Sequence, residues 1–569
     1  MRLLFAVIAV LASVLLFCES GEAWWWSRRR AVSCKVSSWG PWAKCSKTCG
    51  GGKAIRSRYI KRNSAHGGTR CPTLHQTRPC YTQRCPWPIT CKWSAWTAWS
   101  SCDPCFPGAR SKFRTITTPA MFNGAECTGS RALTDFSCTI KKACITKTCP
   151  ATKFSCLDGL GCISKKLRCN GDNDCADRSD EKSCSKGTIH LPCGNKKYKG
   201  IPNIDIAGAG FDLIKGVAEG KILDNQKYDG RCSTVKSGDI GERFRKPANV
   251  QFYRFQARTH SSFYVKSYQS AKAYMKDLRA STARKLSAGV SYTDPSLVSV
   301  SMKVGNSNSR KSRLAVTFGT NFDSKFFTVY STVQVAQFRM VRHNLLLSYE
   351  FRRRLKQLPD DFDYTKYAQI ISDFGTHFYS WGVLGGRYEY VYRYSKRDLR
   401  RSRLTDHQQK SCLSTEAGIS FLGSGGSIGS SNCKTNGLSK KHGGSFTRSA
   451  TNAISNVIGG KSDKAASLSF FSGKTPNKSN YNEWVKTVKH HPAIIDYKLS
   501  PISSAVPLSM LAIRKNLERA LVLYLKEYDY SKCKGKCAHG ATVVVKDKGK
   551  LCQCLCPANY GGIDCHVRA

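Results

Sequence analysis

The sequence predicts a multidomain α+β protein in which one large domain lies between small disulfide-rich modules. The chain has 569 residues, which is too long for one ordinary domain. Of its 29 cysteines, only Cys232, Cys412 and Cys433 lie between Cys193 and Cys533. Within that cysteine-poor stretch, residues 388–394 read YEYVYRY, and this strict alternation predicts a β-strand.

The first 23 residues predict a cleaved secretory signal. An early arginine precedes an apolar run from Leu3 to Phe17, and the small residues Gly21 and Ala23 follow it. Removal of this segment takes Cys18 away and leaves an even number of cysteines, which suits complete pairing in an oxidising compartment. No later segment has about 18 consecutive apolar residues, so the sequence predicts a secreted, extracellular protein without a transmembrane helix.

The net charge of the chain favours an anionic partner. Lys and Arg total 91 against 38 Asp and Glu, a formal net charge of +53. Such a balance creates a long-range positive field that attracts anionic membranes, sulfated glycans or nucleic acid. Because the protein is expected outside the cell, we predict an anionic membrane surface as partner and no nucleic acid.

Two segments near the N terminus share a pattern of tryptophans, cations and cysteines. In the first, WGPWAKCSKTCGGG precedes IRSRYIKR, and Arg56 and Arg58 share one face of a strand because alternate side chains point the same way. Guanidinium groups then lie between indole rings and organise a module that has almost no core. The second segment, CKWSAWTAWSSCDPC, repeats this pattern with Arg110, Lys112 and Arg114.

Both segments resemble thrombospondin type 1 repeats, with predicted bounds of 31–86 and 88–146. The resemblance implies sugars on the tryptophans of WxxW patterns and on the threonine of CSKTCG, which here are Trp39, Trp93, Trp96 and Thr48. The second repeat reads CDPC in place of the family's CSxTCG, so neither the sugar nor the disulfide pairing is carried over to it. Asn477, in the sequence NKS, is a predicted N-glycosylation acceptor.

Residues 147–186 combine six cysteines with an acidic cluster in an otherwise basic chain. Clustered carboxylates repel one another unless a cation neutralises them, and an all-oxygen set suits Ca²⁺. The segment closely resembles a low-density-lipoprotein-receptor (LDL-receptor) class A repeat. Carried over by position, the resemblance implies a structural Ca²⁺ whose ligands are the side chains of Asn170, Asp174, Asp180 and Glu181 and the carbonyls of Leu167 and Asp172. Asn170 stands where the family usually has Asp, which predicts a weaker site.

The last segment, residues 531–567, resembles an EGF-like module. Its six cysteines include the close triplet Cys552, Cys554 and Cys556, and it ends in YGGIDC. A calcium-binding version needs acidic residues before its first cysteine, and Glu527 and Asp529 do not make that motif. We therefore expect a structural module without calcium.

The stretch DFGTHFYSWGVLGG, residues 373–386, has features of either an active site or a bend in a sheet. To be catalytic, His377 would need a base, nucleophile or metal partner, and the sequence shows no nearby Cys, HExxH or GxSxG pattern. Gly385 and Gly386 precede the predicted strand, where missing side chains permit a sharp bend or a close backbone approach. We interpret the stretch as structural and predict that the protein is not an enzyme.

The same stretch is similar to the signature of the membrane-attack-complex/perforin family, in which an aromatic residue precedes GTH and a second aromatic residue and GG follow. The matching positions are Phe374, Gly375, Thr376, His377, Phe378, Gly385 and Gly386, with Phe374 in place of the usual tyrosine. The order of modules resembles that of terminal complement components, above all the sixth and ninth. The resemblance implies that residues 190–530 form a bent antiparallel sheet with two flanking helical clusters, as in cholesterol-dependent cytolysins.

The resemblance also implies that each cluster unfurls into a membrane-inserting β-hairpin. A barrel strand takes about 9–11 residues of alternating polarity. In the first candidate segment, residues 268–340, the sequence SLVSVSMKVG gives a lipid-facing row of Val298, Val300, Met302 and Val304. Its Ser-rich composition permits helix or strand, and the alternative is an ordinary soluble strand pair. The second candidate, residues 412–470, is amphipathic but interrupted, and the alternative is a surface excursion closed by a Cys412–Cys433 disulfide.

The leading hypothesis is a secreted, complement-like pore-forming protein of innate immune defence that binds target membranes, oligomerises and inserts β-hairpins as a barrel. One chain supplies at most about four strands, and lipid tolerates no open sheet edge, so many subunits must close one ring. The implied partners are other terminal complement components or copies of the protein itself. The alternative is a non-lytic adhesion or matrix-binding protein that uses its thrombospondin and LDL-receptor-type modules.

Overall fold

The computed structural model describes residues 30–102, 110–138, 149–185, 191–237, 241–259, 263–287, 295–305, 309, 311–312, 324–421, 430–468 and 478–568. The chain divides into two units, residues 1–85 and residues 86–569.

The first unit is a thin module of two antiparallel strand pairs, β1 with β3 and β2 with β4, whose bounds are β1 Lys35–Val36, β2 Gly52–Ser57, β3 Ile60–Arg62 and β4 His75–Cys80. Its disulfides are Cys34–Cys71, Cys45–Cys80 and Cys49–Cys85. The guanidinium carbon of Arg56 lies 4.7 Å from the ring centroid of Trp42, and that of Arg58 lies 4.2 Å from Trp39. The alternating arginines therefore stack on indoles, as the sequence predicts.

The second unit begins with two small modules, whose strands are β5 Lys92–Trp93, β6 Arg110–Phe113, β7 Ile116–Thr118, β8 Ala132–Asp135, β9 Lys153–Ser155 and β10 Cys162–Ser164. The described disulfides of these modules are Cys91–Cys127, Cys102–Cys138, Cys149–Cys162, Cys156–Cys175 and Cys169–Cys184. Here too the indoles stack on cations: the guanidinium carbon of Arg114 lies 4.4 Å from Trp93, and Lys112 Nζ lies 4.7 Å from Trp99.

The large domain is built on an eight-stranded antiparallel sheet in the order β13-β12-β19-β18-β16, with β17 also paired to β18, and β20 and β21 both paired to β19. The strands of the domain are β11 Lys199–Gly200, β12 Ala209–Asp212, β13 Val217–Lys221, β14 Thr234–Lys236, β15 Arg243–Arg245, β16 Val250–Thr259, β17 Tyr264–Tyr268, β18 Ser324–Met340, β19 His377–Ser395, β20 Asn452–Ile458 and β21 Ala493–Pro501. Its described α-helices are α1 Ala271–Ser287, α2 Pro295–Val304, α3 Tyr349–Lys356, α4 Tyr364–Phe374, α5 Lys396–Arg401, α6 Asp406–Phe421, α7 Ser430–Thr435, α8 Ser462–Ser467, α9 Lys478–Val488 and α10 Leu511–Lys526.

Alternate residues of β18 and β19 face two different helical clusters. Tyr388, Tyr390, Tyr392 and Tyr394 lie in one apolar cluster with Leu413 of α6. Val391, on the other face, lies in a cluster with Tyr274 of α1. Because strand side chains alternate between faces, the run YEYVYRY separates the two clusters. The predicted α+β architecture, a sheet between helical clusters, is confirmed.

Gly385 and Gly386 lie where β19 changes partners. Up to Gly385 the strand pairs with β21, and from Arg387 it pairs with β20. The register between β18 and β19 also shifts here, between Gln334 and Ala336. A Cβ on Gly385 would lie 1.8 Å from the carbonyl oxygen of Val333, so β18 and β19 approach too closely for any side chain.

Residues 295–304 form helix α2 in this structure, so the alternative of a soluble strand pair does not apply to them. Leu297, Val300 and Val304 are buried and are spaced by three and four residues, the interval that places side chains on one helical face. The same residues that alternate as a strand therefore also make a helical stripe, which packs against α1 and α10. Residues 288–294, immediately upstream of this helix, lie outside the described residues.

The C-terminal module contains β22 Thr542–Lys546, β23 Leu551–Leu555, β24 Tyr560–Gly561 and β25 Val567–Arg568, with disulfides Cys533–Cys552, Cys537–Cys554 and Cys556–Cys565. Val544 and Leu555 share an apolar cluster with Met275 of α1. On another side the module packs on Met121 and Phe122 of the second small repeat. The module thus contacts the first helical cluster directly.

Candidate functional sites

The GTH motif joins the start of β19 to β12. Gly375 has φ of 87°, and a Cβ there would lie 2.6 Å from the backbone of Phe211, so two independent reasons require glycine. The amide and hydroxyl of Thr376 both donate to the carbonyl of Phe211, at 3.0 and 3.2 Å, and the hydroxyl accepts from the amide of Leu213 at 3.0 Å. Phe374 packs edge-on against Phe351 of α3. The motif therefore fixes where the central strand begins.

His377 is fully buried, and its Nδ1 lies 2.9 Å from the Thr376 hydroxyl. Burial lowers the pKa of His377 to about 3, so the ring is neutral at physiological pH. A residue of this kind has neither the exposure nor the charge change that acid–base catalysis uses. Its position supports the structural interpretation of the motif.

Helix α2 is held against the rest of the domain through one face. Val298 and Met302 are half-buried, Ser299 and Lys303 are exposed, and Val300 is buried in the core that also contains Leu517 of α10. Lys303 Nζ is 3.9 Å from a carboxylate oxygen of Asp529. The predicted lipid-facing row is thus divided between buried and half-buried positions as long as the segment is helical.

An ion pair with a buried carboxylate anchors the first candidate segment, residues 268–340, to the sheet. Lys311 Nζ donates to both carboxylate oxygens of Glu389 on β19, at 2.7 and 2.6 Å, and Arg387 Nε lies 3.3 Å from Glu389 Oε2. Burial alone raises the pKa of Glu389, but the two cations outweigh it and hold the pKa below its ordinary value. The sequence showed no sign of this pair, because 78 residues separate its members.

The second small repeat contacts the C-terminal end of α10 and the start of α4. Glu527 is buried, forms an ion pair with Arg131, and accepts a 2.7 Å hydrogen bond from the Tyr364 hydroxyl of α4. Ser111 donates a buried 2.6 Å hydrogen bond to Asp363, at the start of α4. These contacts fix the helix against which α2 packs.

The second candidate segment is also folded back onto the sheet. The Cys412–Cys433 disulfide is present and joins α6 to α7. Glu416 of α6 accepts from the backbone amides of Phe446 and Thr447, and Tyr394 of β19 donates to the carbonyl of Phe446 at 2.8 Å. Residues 422–429, with the Gly-rich core of this segment, lie outside the described residues.

The acidic residues of the LDL-receptor-type repeat converge. Asn170 Nδ2 donates to Asp174 at 2.9 Å, the amide of Asp174 donates to Asp180 at 2.6 Å, and the amide of Asn170 donates to Glu181 at 2.8 Å. Asp180 is fully buried, and its Oδ1 has no hydrogen-bond partner. Burial, together with Asp172 and Asp180, raises the pKa of Asp174 to about 6. A buried orphan oxygen among carboxylates fits a cation.

Two cations of the large domain hold the acidic loop in place. Arg245 donates to both carboxylate oxygens of Asp172, at 2.5 and 2.7 Å, while its guanidinium stacks 4.0 Å from the ring of Tyr228. Lys227, buried at 7% exposure, donates to the carbonyl of Asp174 at 2.6 Å. The side chain of Asp172 is thereby occupied by Arg245.

Another set of possible metal ligands in the same repeat is not available. Sγ atoms of Cys156 and Cys175 and a carboxylate oxygen of Asp177 lie within 4.8 Å of one another. The two sulfurs are joined in a disulfide, which removes the thiolates that a metal would need.

The predicted sugar acceptors are only partly described. Trp39, Trp93 and Trp96 lie in the cation–indole stacks, and the carbonyl of Thr48 accepts from Gln83 at 3.3 Å. Asn477 lies outside the described residues, as does the predicted signal segment. Among the described helices, none combines the length and apolar character needed to cross a bilayer.

Four family profiles match the chain. The MAC/Perforin domain matches residues 195–534, the Spondin-like TSP1 domain residues 34–85, the Thrombospondin type 1 domain residues 94–149, and the Low-density lipoprotein receptor domain class A residues 147–184.

Curated relatives include complement component C6 of Bos taurus, 32% identical over 95% of this chain, and complement component C8 beta chain of Oryctolagus cuniculus, 28% identical over 85% of it. The chain spans 58% of the length of the first and 81% of the second. Among solved structures, GNIP1Aa of Chromobacterium piscinae is 14% identical, with 60% of this chain and 59% of that chain covered, at a TM-score of 0.39, too low to carry an argument. Since the MAC/Perforin match covers more than half of the sequence, this protein belongs to the MAC/Perforin domain family.

Proposed function

We propose that this protein is a secreted, complement-like pore former that binds target membranes, assembles with other terminal complement components or with copies of itself, and inserts β-hairpins. The topology of the two helical segments carries this proposal. Each segment connects two strands that are already antiparallel neighbours in the sheet. As a member of its family the protein is not an enzyme.

The first segment runs from β17 to β18, which pair as far as Tyr268 and Phe326. The second runs from β19 to β20, which pair as far as Arg393 and Asn452. Extension of either pair beyond these residues turns the connecting segment into a hairpin that continues the existing hydrogen-bond ladder. No strand has to find a new partner within its own chain, which removes a large part of the loop-closure cost.

Closure of the barrel requires other subunits. Every backbone polar group in hydrocarbon must be paired, and two hairpins from one chain leave open edges. A ring of such sheets supplies the missing partners. The proposed mechanism therefore requires oligomerisation.

We also propose that the acidic cluster of the LDL-receptor-type repeat holds a structural Ca²⁺. The side chains of Asn170, Asp174, Asp180 and Glu181 and the carbonyls of Leu167 and Asp172 would be its ligands. The buried, unpartnered Oδ1 of Asp180 supports the assignment. When bound, the ion would neutralise carboxylates that otherwise repel one another.

Calcium titration of the full-length protein tests this site. We expect calorimetry to show binding and the unfolding temperature to fall on chelation. Asp180→Asn should weaken Ca²⁺ binding more than about tenfold, because it removes a buried charged ligand. Asp158→Asn is the matched control, since this carboxylate of the same repeat is not a proposed ligand and accepts from the amide of Leu160; it should leave binding within about threefold. Equal effects of the two changes, or no binding near millimolar Ca²⁺, would refute the assignment.

Dye-loaded liposomes test recruitment and pore formation together. With its +53 charge, the protein should bind anionic vesicles better than neutral ones, and binding should weaken as salt rises, because screening shortens the field to about 8 Å at physiological ionic strength. Addition of partner serum proteins should allow leakage if the protein assembles with them. Equal binding to both vesicle types at low and high salt would remove electrostatic recruitment from the proposal.

Adhesion is the second candidate function. Stacked tryptophans and cations in the small repeats, such as Trp42 with Arg78 at 4.6 Å, present amphipathic surface of a kind that recognises extracellular partners. In that case cells would attach to the protein while dye remains inside, with or without partner serum proteins.

A further inference from the structure

Three neighbouring strands place a cation, an indole and a second cation in one row. Arg339 on β18 lies directly opposite Trp381 on β19, and Trp381 lies directly opposite Lys498 on β21. Directly opposed residues of antiparallel strands share a face, with Cβ atoms about 5 Å apart. The preceding residue Phe338 is fully buried, so the row occupies the face away from the core. Lys498 Nζ lies 5.3 Å from the centroid of the Trp381 ring.

A β-bulge beside this row adds one residue to the lining of a cleft. The register between β19 and β21 shifts between Tyr379 and Trp381, which leaves Ser380 as the extra residue. Bulges re-aim a side chain and are frequent beside functional sites. Here the Ser380 hydroxyl donates to the carbonyl of Lys498 at 3.3 Å and lines a cleft of about 160 Å³ together with the row.

The chemistry of the lining is that of an anion site. Arg342, just after β18, adds a third cation, and no carboxylate belongs to the described residues that line the cleft. Like charges around one small volume repel one another, and an anion between them relieves this repulsion. Guanidinium groups donate in a planar fork that matches phosphate oxygens, whereas a lysine supplies a point charge. Phe378 and Met340 add apolar wall beside the cations.

We propose that this cleft binds a phosphate monoester group, with Arg339, Arg342 and Lys498 as its cationic contacts. The proposal deepens the proposed recruitment to anionic membranes and rests on it. Such a group comes either from a phosphorylated lipid headgroup or from a free phosphate ester. The geometry distinguishes the site from general surface charge, because three strands and a bulge bring its members together.

The test compares two full-length variants that each lose two positive charges. Arg339→Gln with Arg342→Gln alters the cleft, while Lys44→Gln with Lys47→Gln alters exposed lysines of the first unit. Calorimetric titration with glycerol 3-phosphate should show at least tenfold weaker binding by the cleft variant and less than twofold change in the control. Unfolding temperatures of both variants verify that each remains folded. No binding by the unaltered protein, or equal losses in the two variants, overturns the proposal.

Vesicles distinguish the two sources of the group. If the source is a headgroup, the cleft variant should lose binding to phosphatidylcholine vesicles that contain phosphatidic acid, a monoester, and keep its binding to vesicles that contain phosphatidylserine, a diester. If the cleft variant loses binding to glycerol 3-phosphate but keeps its binding to phosphatidic acid vesicles, the source is a free phosphate ester. Dye leakage from phosphatidylserine vesicles tests the proposed pore separately, since it is expected to survive in both variants.

Discussion

Val298→Arg is expected to abolish dye leakage, whereas Ser299→Arg should leave most of it. In an inserted strand the two side chains point to opposite sides, so Val298 faces lipid and Ser299 faces the lumen. A lipid-facing Arg costs up to about 2–4 kcal/mol in a barrel, less the closer it lies to an interface, and the cost recurs in every subunit. A lumen-facing Arg stays in water.

The burial of each position in the structure determines which substitutions leave the protein folded. Val300 is buried in the core between α2 and α10, so an Arg there would destabilise the protein before it meets a membrane. Val298 is half-buried and Ser299 is exposed, so both variants are expected to fold. Surface binding measured by vesicle sedimentation should be the same for both.

Probes along the segment give an independent measurement. Single cysteines that carry a polarity-sensitive fluorophore should move to an apolar environment at 298 and 302 and stay in an aqueous one at 299 and 303 on assembly on liposomes. These four positions are half-buried or exposed before assembly, so the labels are accommodated, whereas Val300 and Ser301 are buried. Absence of the two-residue period, or normal leakage from Val298→Arg, would show that this segment does not span the membrane, and adhesion would gain support.

Gly385→Ala is expected to produce the largest loss of stability, about 3 kcal/mol or more. Its Cβ would lie 1.8 Å from the carbonyl oxygen of Val333, which belongs to the backbone of the neighbouring strand β18. Relief requires the two longest strands of the sheet to separate at the point where β19 changes partners. Urea denaturation followed by tyrosine and tryptophan fluorescence should show the midpoint move to lower urea.

Gly437→Ala is the matched control. At Gly437 an added Cβ would have no neighbour closer than the Arg401 carbonyl, at 3.8 Å. This substitution should change stability by less than about 0.5 kcal/mol. If both variants unfold at the same urea concentration, Gly385 is not required for the close approach of β18 and β19.

The sequence alone determined the modular organisation of the chain. Cysteine spacing does not depend on distant contacts, so it indicated small disulfide-rich modules around a large domain, and every described cysteine is disulfide-bonded. Strict alternation at residues 388–394 predicted a strand, because side chains of a strand point alternately to its two faces, and this run lies within β19. The GTH and GG residues pointed to a bend, since only glycine tolerates such close backbone approach.

Only the tertiary structure decided the state of residues 297–304. Their valines satisfy a two-residue and a helical period at once, so local pattern left both open, and packing on α10 selected the helix. Three other features could not be predicted from the sequence either. They are the Lys311–Glu389 ion pair, the Arg245–Asp172 ion pair and the row of Arg339, Trp381 and Lys498. Each joins residues far apart in the chain, and strand register and docking of modules, which local sequence does not encode, bring them together.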